Sequence, residues 1–305
     1  MTTILDRRLL IVGGKGGTGK SSVTAALAEL AAARGKRTLL VSADGSPGAA
    51  GMFGVVPNHL AQQVMANLYV LQIDAKASLN EFVKLQLGPL GAVSGPVASA
   101  FSFVAEAAPG VSELLLVGKY AEETRSGGWD LVVVDAASSG HLLGELAAPA
   151  GVGEIARIGR LARETGWVVD LLADESITGV VNVTLAEEVP VSETLEFVER
   201  LHTQTPARLA AVVVNRTRPQ LYARSRREEV DELLANRPSR LSKGASGVFD
   251  ALQIGLDRAD VASAIDALLR TELPVGTPIL HIPELGVVGS LRASIREALA
   301  DELSL

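Results

Sequence analysis

Short apolar runs alternate with stretches of helical periodicity along the whole chain. The runs at residues 9–12, 37–41, 68–73, 131–134, 178–183, 209–214 and 278–282 predict strands. Several are apolar without a break, as in Leu131-Val132-Val133-Val134 and Ala210-Ala211-Val212-Val213-Val214. A strand with no polar face is buried on both sides, as in a parallel sheet covered by helices. Between these runs, residues 21–34, 111–125, 153–172, 191–203, 220–236, 257–271 and 289–303 read as helices. The alternation predicts an α/β fold, a doubly wound and mostly parallel sheet, in one domain spanning residues 1–305. Two segments break the rhythm. Residues 75–110 are apolar and rich in Gly, Ala and Pro, and are expected to form a small helical insertion. Residues 236–255 are polar, contain Gly and Ser, and read as a loop.

The strongest chemical signal lies between the first strand and the first helix. Gly14-Lys15-Gly16-Gly17-Thr18-Gly19-Lys20-Ser21 fits G-x-x-x-x-G-K-[ST]. Glycines let successive backbone N–H groups turn inward around a phosphate, and the following helix adds the positive end of its dipole. Gly14, Gly16, Gly17, Thr18, Gly19, Lys20, Ser21 and Ser22 are therefore the expected nucleotide cradle. Lys20 would reach the β- and γ-phosphates, and the Ser21 hydroxyl would ligate Mg²⁺. Trp129-Asp130-Leu131-Val132-Val133-Val134-Asp135 is an apolar strand ending in a carboxylate, the form of a Walker B element. Asp135 is the expected second Mg²⁺ ligand, directly or through water. Val41-Ser42-Ala43-Asp44 ends the next strand in the same way. Asp44 reads either as the group that orients or deprotonates an attacking water or as a turn former before Gly45.

Composition narrows the choices. The 305 residues carry 28 Lys and Arg against 35 Asp and Glu, a formal charge of −7, which disfavours nucleic acid and anionic lipid as partners. No cysteine is present, so a thiolate metal site, an iron–sulfur cluster and a cysteine nucleophile are excluded. The apolar run at 9–12 is too short for a signal-peptide core. The longest uncharged stretch, 85–105, contains Pro89 and Pro96 and would make a poor spanning helix. A cytoplasmic protein without an integral membrane segment is expected. Arg216, Arg218, Arg224, Arg226 and Arg227 form a basic run followed by Glu228-Glu229, which reads as a solvated helix face.

A second lysine inside the loop, Lys15, gives it the form of the deviant P-loop ATPases. Asp135-Ala136-Ala137-Ser138-Ser139-Gly140-His141-Leu142-Leu143 resembles the D-T-A-P-T-G-H-T-L switch of the arsenite-translocating and tail-anchored-protein-targeting (ArsA-type) ATPases. The stretch from Val180 to Thr194, with Glu187-Glu188-Val189-Pro190-Val191-Ser192-Glu193-Thr194, resembles that family's P-E-x-x-P-V-x-E-T block. Val213-Val214-Asn215-Arg216 resembles its adenine-contacting V-N segment, and Pro278-Ile279-Leu280-His281-Ile282-Pro283 its late strand and loop. Ala108-Pro109-Gly110-Val111 and Leu116-Val117-Gly118-Lys119 are similar to the shorter actinobacterial members. The resemblance implies an ATPase that binds ATP and ADP with Mg²⁺ and works as a homodimer or as a heterodimer with an ArsA-like paralogue. It further implies that Lys15 crosses to the partner's nucleotide, that Asn215 reads the adenine and that Pro283 lies on the ring. A protein client is implied as well.

Three departures qualify this. The first switch, D-P-A-H in the family, is Asp44-Gly45-Ser46-Pro47, and the second has Ser138 in place of proline. With no cysteine, arsenite has no thiolate ligands here and the C-x-x-C zinc clamp of some members is missing. The readings left open are a dimeric ATP-driven switch, a nucleotide-binding regulatory or scaffold subunit with little hydrolysis, and a partitioning-type ATPase.

Overall fold

The computed structural model describes residues 3–43, 46–73, 110–156, 160–218, 226–285 and 290–304. Within them eight strands form one sheet in the order β3-β4-β2-β5-β1-β6-β7-β8. The strands are β1 (Leu9–Gly14), β2 (Thr38–Ser42), β3 (Gln62–Met65), β4 (Leu68–Gln72), β5 (Leu131–Asp135), β6 (Thr178–Leu185), β7 (Leu209–Thr217) and β8 (Ile279–Pro283). All seven expected strands are present and pair in parallel. The eighth, β3, was not anticipated. It is a half-exposed edge strand, Gln62-Gln63-Val64-Met65, antiparallel to β4, and its two glutamines break the apolar pattern that marks a buried strand.

The helices are α1 (Lys20–Ala33), α2 (Gly48–Gly51), α3 (Val111–Arg125), α4 (Ser139–Ala156), α5 (Arg160–Ala173), α6 (Glu188–Gln204), α7 (Arg227–Ala235), α8 (Lys243–Glu272) and α9 (Leu291–Glu302). Alternate residues of each central strand feed opposite cores, which is what a period of two does in a sheet covered on both faces. Leu9 and Ile11 pack with residues of α3, α4, α5, α6 and α8, whereas Leu10 and Val12 pack with α1, α2 and α9. The core stretch of α1, Val23 to Ala32, is almost all alanine and leucine and is buried, so the helix lies close on the sheet.

Two expectations need correction. The helix placed at 153–172 is two helices, α4 and α5, and α4 begins at Ser139 and carries Pro149 in its interior. Glycine and proline suppressed the helical reading there, but Leu142, Leu143 and Leu146 bury one face on the sheet, and that packing outweighs propensity. Residues 236–255, read as a loop, contribute residues 243–255 to the 30-residue α8. The Ser242 side chain caps its start by accepting from the Ala245 N–H at 3.2 Å. The expected insertion at 75–110 lies outside the described residues except for Gly110, the left-handed N-cap of α3.

Candidate functional site

The carboxyl ends of the strands converge around β1, and the crevice outside them is where open α/β sheets bind ligands. There Gly14 ends β1 with φ +148, and the turn closes at Gly19, which caps α1 in the left-handed region with φ +90. Both positions demand glycine for a second reason. A Cβ on Gly14 would stand 2.4 Å from the Val183 carbonyl oxygen, and one on Gly19 would stand 2.3 Å from Asn215 Nδ2. Between them the Thr18 hydroxyl donates to the Lys15 carbonyl at 2.8 Å, folding the loop back on itself. The first N–H groups of α1 have no intrahelical partners, and they open onto a cavity of about 970 Å³.

Gly16, Gly17, Lys20, Ser21 and Ser22 line one wall of that cavity. Ala43, Ala137 and Ser138, from the ends of β2 and β5, line another. Lys20, at the first position of α1, donates its ammonium to the Ala136 carbonyl and lies 3.9 Å from Asp135 Oδ1. Asp135 is 1% exposed. Its Oδ2 accepts from the Ala49 N–H at 2.9 Å, and the Thr24 hydroxyl lies 3.5 Å from Oδ1. The loop lysine and the strand-end carboxylate, 115 positions apart in sequence, thus lie side by side. Asp44 lies outside the described residues. The neighbouring Ser42 hydroxyl donates to the Pro47 carbonyl at 3.0 Å, holding the start of α2 against β2.

Lys15 stands at the rim with its side chain more than half exposed and pairs with Glu193 of α6 in the same chain. The other Glu193 oxygen is buried, with no hydrogen-bond partner among the described residues. Asn215 lies two residues before the end of β7 and is buried. Its amide donates to the Thr18 carbonyl at 2.8 Å, and its Oδ1 accepts from the Arg216 N–H at 2.9 Å. In this structure Asn215 is therefore a brace for the glycine loop. Pro283 stands opposite Thr217 in the β7–β8 register, two residues beyond Asn215.

The basic run does not form one solvated face. Arg218 pairs with Glu284 at 2.7 Å, and Arg226 and Arg227 pair with carboxylates around α7, whereas Arg216 lines the cavity. Arg224 lies outside the described residues. The cavity also reaches residues that the motifs do not name: Ser112, Glu113 and Leu116 of α3, and His141 and Glu145 of α4. Of these, His141 had a sequence signal through the switch-like segment and Leu116 through Leu116-Val117-Gly118-Lys119. Glu145 is buried beside Tyr120, whose hydroxyl burial, and then the Glu145 charge, push to a far higher pKa than usual.

Comparison with known proteins agrees with this geometry. The sequence profile of the Anion-transporting ATPase (ArsA-type) family matches residues 7–166, which contain the glycine loop and Asp135. The chain is 33% identical to ATPase BagA of Mycobacterium tuberculosis over 297 residues, covering 91% of this chain and 86% of that protein. It is 31% identical over 138 residues to ATPase get3 of Schizosaccharomyces japonicus, covering 44% and 41% of the two chains. Over 173 residues it is 28% identical to ATPase GET3 of Chaetomium globosum, covering 54% and 51%. With the glycine loop, the strand-end carboxylate and the doubly wound sheet in one crevice, the chain belongs to the Anion-transporting ATPase family and is an ATPase.

Proposed function

We propose that the protein is a Mg²⁺-dependent ATP-hydrolysing switch that acts as a dimer and couples its nucleotide state to a protein partner, with residues 1–305 as one ATPase domain. The observation that carries this reading is Lys20, in the cavity wall, brought beside the Ala136 carbonyl and the buried Asp135. In this role the backbone N–H groups of residues 14–22 cradle the phosphates, and Lys20 neutralises charge on the transferred group. The Ser21 hydroxyl and the Asp135 carboxylate are hard oxygen donors of the kind Mg²⁺ takes; Ser21 lines the cavity, and Asp135 lies buried beside Lys20. Bound there, the ion would offset charge on the β- and γ-phosphates. Asp44 would hold the attacking water, Asn215 would contact the adenine from its braced position, and Pro283 would border the ring.

Lys15 supports the dimeric reading. Its ammonium is exposed at the rim and held by a single carboxylate, so it is free to exchange Glu193 for a phosphate of a second subunit, the same chain or a related one. Among the described residues no helix is long and apolar enough to cross a membrane, which supports work in the cytoplasm. The departure at Asp44-Gly45-Ser46-Pro47 favours a second reading, a nucleotide-binding regulatory subunit with little hydrolysis. The net charge of −7 speaks against the partitioning-type alternative and against nucleic acid.

Calorimetric titration with Mg·ATP and Mg·ADP tests the reading. The native protein is expected to bind both, and Lys20→Ala to lose at least about tenfold in ATP affinity, the size of a lost charge-assisted contact. A native protein with no affinity for ATP would overturn the proposal. Binding without measurable turnover selects the regulatory reading.

A further inference from the structure

Of the described residues, two that are not glycine have positive φ: Asn67 at +60 and Arg216 at +55. Asn67 sits in the tight turn between β3 and β4, where asparagine is at home. Arg216 has no such local reason, since a long L side chain rarely adopts this backbone conformation. Yet its neighbours hold it there. Asn215 bonds both the loop carbonyl of Thr18 and the Arg216 N–H, and the Thr217 hydroxyl donates to the Ile282 carbonyl at 3.1 Å. The β7–β8 register slips between Val214 and Thr217, so Arg216 is lifted out of the ladder between two anchored residues. Its side chain lines the cavity. No carboxylate pairs with it among the described residues, although Arg218 nearby is matched with Glu284.

The sheet order tells which part of a ligand Arg216 faces. Lys20, Ala136 and Asp135 lie on the β5 side of β1, whereas β7 lies two strands away on the other side. With the terminal phosphate beside Lys20, the loop curls the remaining phosphates toward Thr18 and Gly19, which Asn215 touches. The next group in line is the nucleoside end. We propose that Arg216 is a specificity-determining residue that grips the nucleoside-proximal half of the nucleotide. Its planar cation meets the ribose and the adjoining ring beyond the phosphates, a role that the glycine loop does not fill. The inference rests on the nucleotide-site reading above and adds a ligand group to it.

The test compares ATP, ADP and inorganic triphosphate, each with Mg²⁺, on native protein, Arg216→Lys and Arg216→Gly. Glycine accepts the positive φ and deletes the cation, so the fold is kept while the contact is lost. Arg216→Gly is expected to melt no lower than the native protein and to weaken ATP and ADP alike by about tenfold. Inorganic triphosphate, which lacks the nucleoside, is expected to bind within about twofold of native. Arg216→Lys keeps the charge without the planar fork and is expected to fall between the two. Unchanged ATP affinity in Arg216→Gly would overturn the inference. An equal loss for triphosphate would overturn it as well, reducing Arg216 to a general positive field. Failure of the native protein to bind any of the three refutes the underlying nucleotide reading instead.

Discussion

Gly14 and Gly16 belong to one motif and carry different burdens. At Gly14 a methyl group would meet the Val183 carbonyl, which is backbone in the middle of the sheet and cannot turn away. At Gly16 an added Cβ would meet nothing within 4 Å among the described residues beyond its chain neighbours, and φ is not positive. Gly14→Ala is therefore expected to lower stability by at least about 2 kcal/mol through strain and forced displacement, and Gly16→Ala by less than about 1 kcal/mol. Urea unfolding of the two variants checks this, and equal midpoints would show that the β1–β6 spacing is more compliant than the structure indicates. The motif displayed both glycines alike, because a regular expression carries no information about what stands opposite. The same holds for Lys15, whose presence is plain in the sequence. Its partner Glu193 lies 178 positions away, and only the approach of α6 to the loop pairs them.

Elements were legible where burial on both faces left one solution. The seven parallel strands are built around apolar runs, unbroken in Leu131–Val134 and Ala210–Val214, and a strand that must satisfy two cores tolerates little else. What escaped was held by weaker forces. The first half of α8 contains Gly244, Ser246 and Gly247, poor helix formers, and residues 243–255 bury no side chain fully. In α7 no residue is buried. Its attachment to α8 is polar: Arg227, oriented by Asp231 of α7 itself at 2.9 Å, donates to Asp260 of α8 at 2.8 Å, and Arg237 just beyond α7 pairs with Asp250. The Arg227 hydrogen bonds hold the Asp260 carboxyl below its ordinary value of 3.8. A lowered folded-state pKa means that the contribution is complete above that ordinary value and is lost as pH falls through the folded one, so the clasp acts throughout the neutral range. In Arg227→Ala the Asp260 carboxyl is expected to titrate back near 3.8 by NMR. Protease cutting in residues 227–237 is expected to rise while the global unfolding midpoint stays put, because both partners are solvated. A fall in the global midpoint would mean that α7 is part of the main cooperative unit.

At the scale of the whole molecule, the site and the C-terminal helix are joined through α2. One end of this short helix is clasped from the sheet, where Asp135 accepts the Ala49 N–H and the Ser42 hydroxyl lies 3.4 Å from the Ala50 nitrogen. Its other end is clasped by α9: Arg292 donates to the Met52 carbonyl at 2.6 Å, and its guanidinium lies 4.2 Å from the Phe53 ring centroid. The same Arg292 and its neighbour Arg296 bind the two oxygens of Glu29, a carboxylate buried on α1, at 2.6 and 2.7 Å. So the helix that follows the glycine loop and the segment that follows β2 share one anchor on α9. Under the metal role proposed for Asp135, an ion at that carboxylate would compete with the Ala49 N–H, and α2 would be left with Ser42 and Arg292 as its holds. Hydrogen exchange over residues 46–53 is then expected to speed up when Mg²⁺ is added to the ATP-bound protein. Arg292→Ala is expected to enlarge that increase and to raise exchange in the C-terminal helix, while Glu29 keeps Arg296 and α9 stays docked. If metal and variant each leave 46–53 at native exchange rates, α2 is fixed by the sheet alone. The coupling from nucleotide site to C-terminal helix would then fail at its first step.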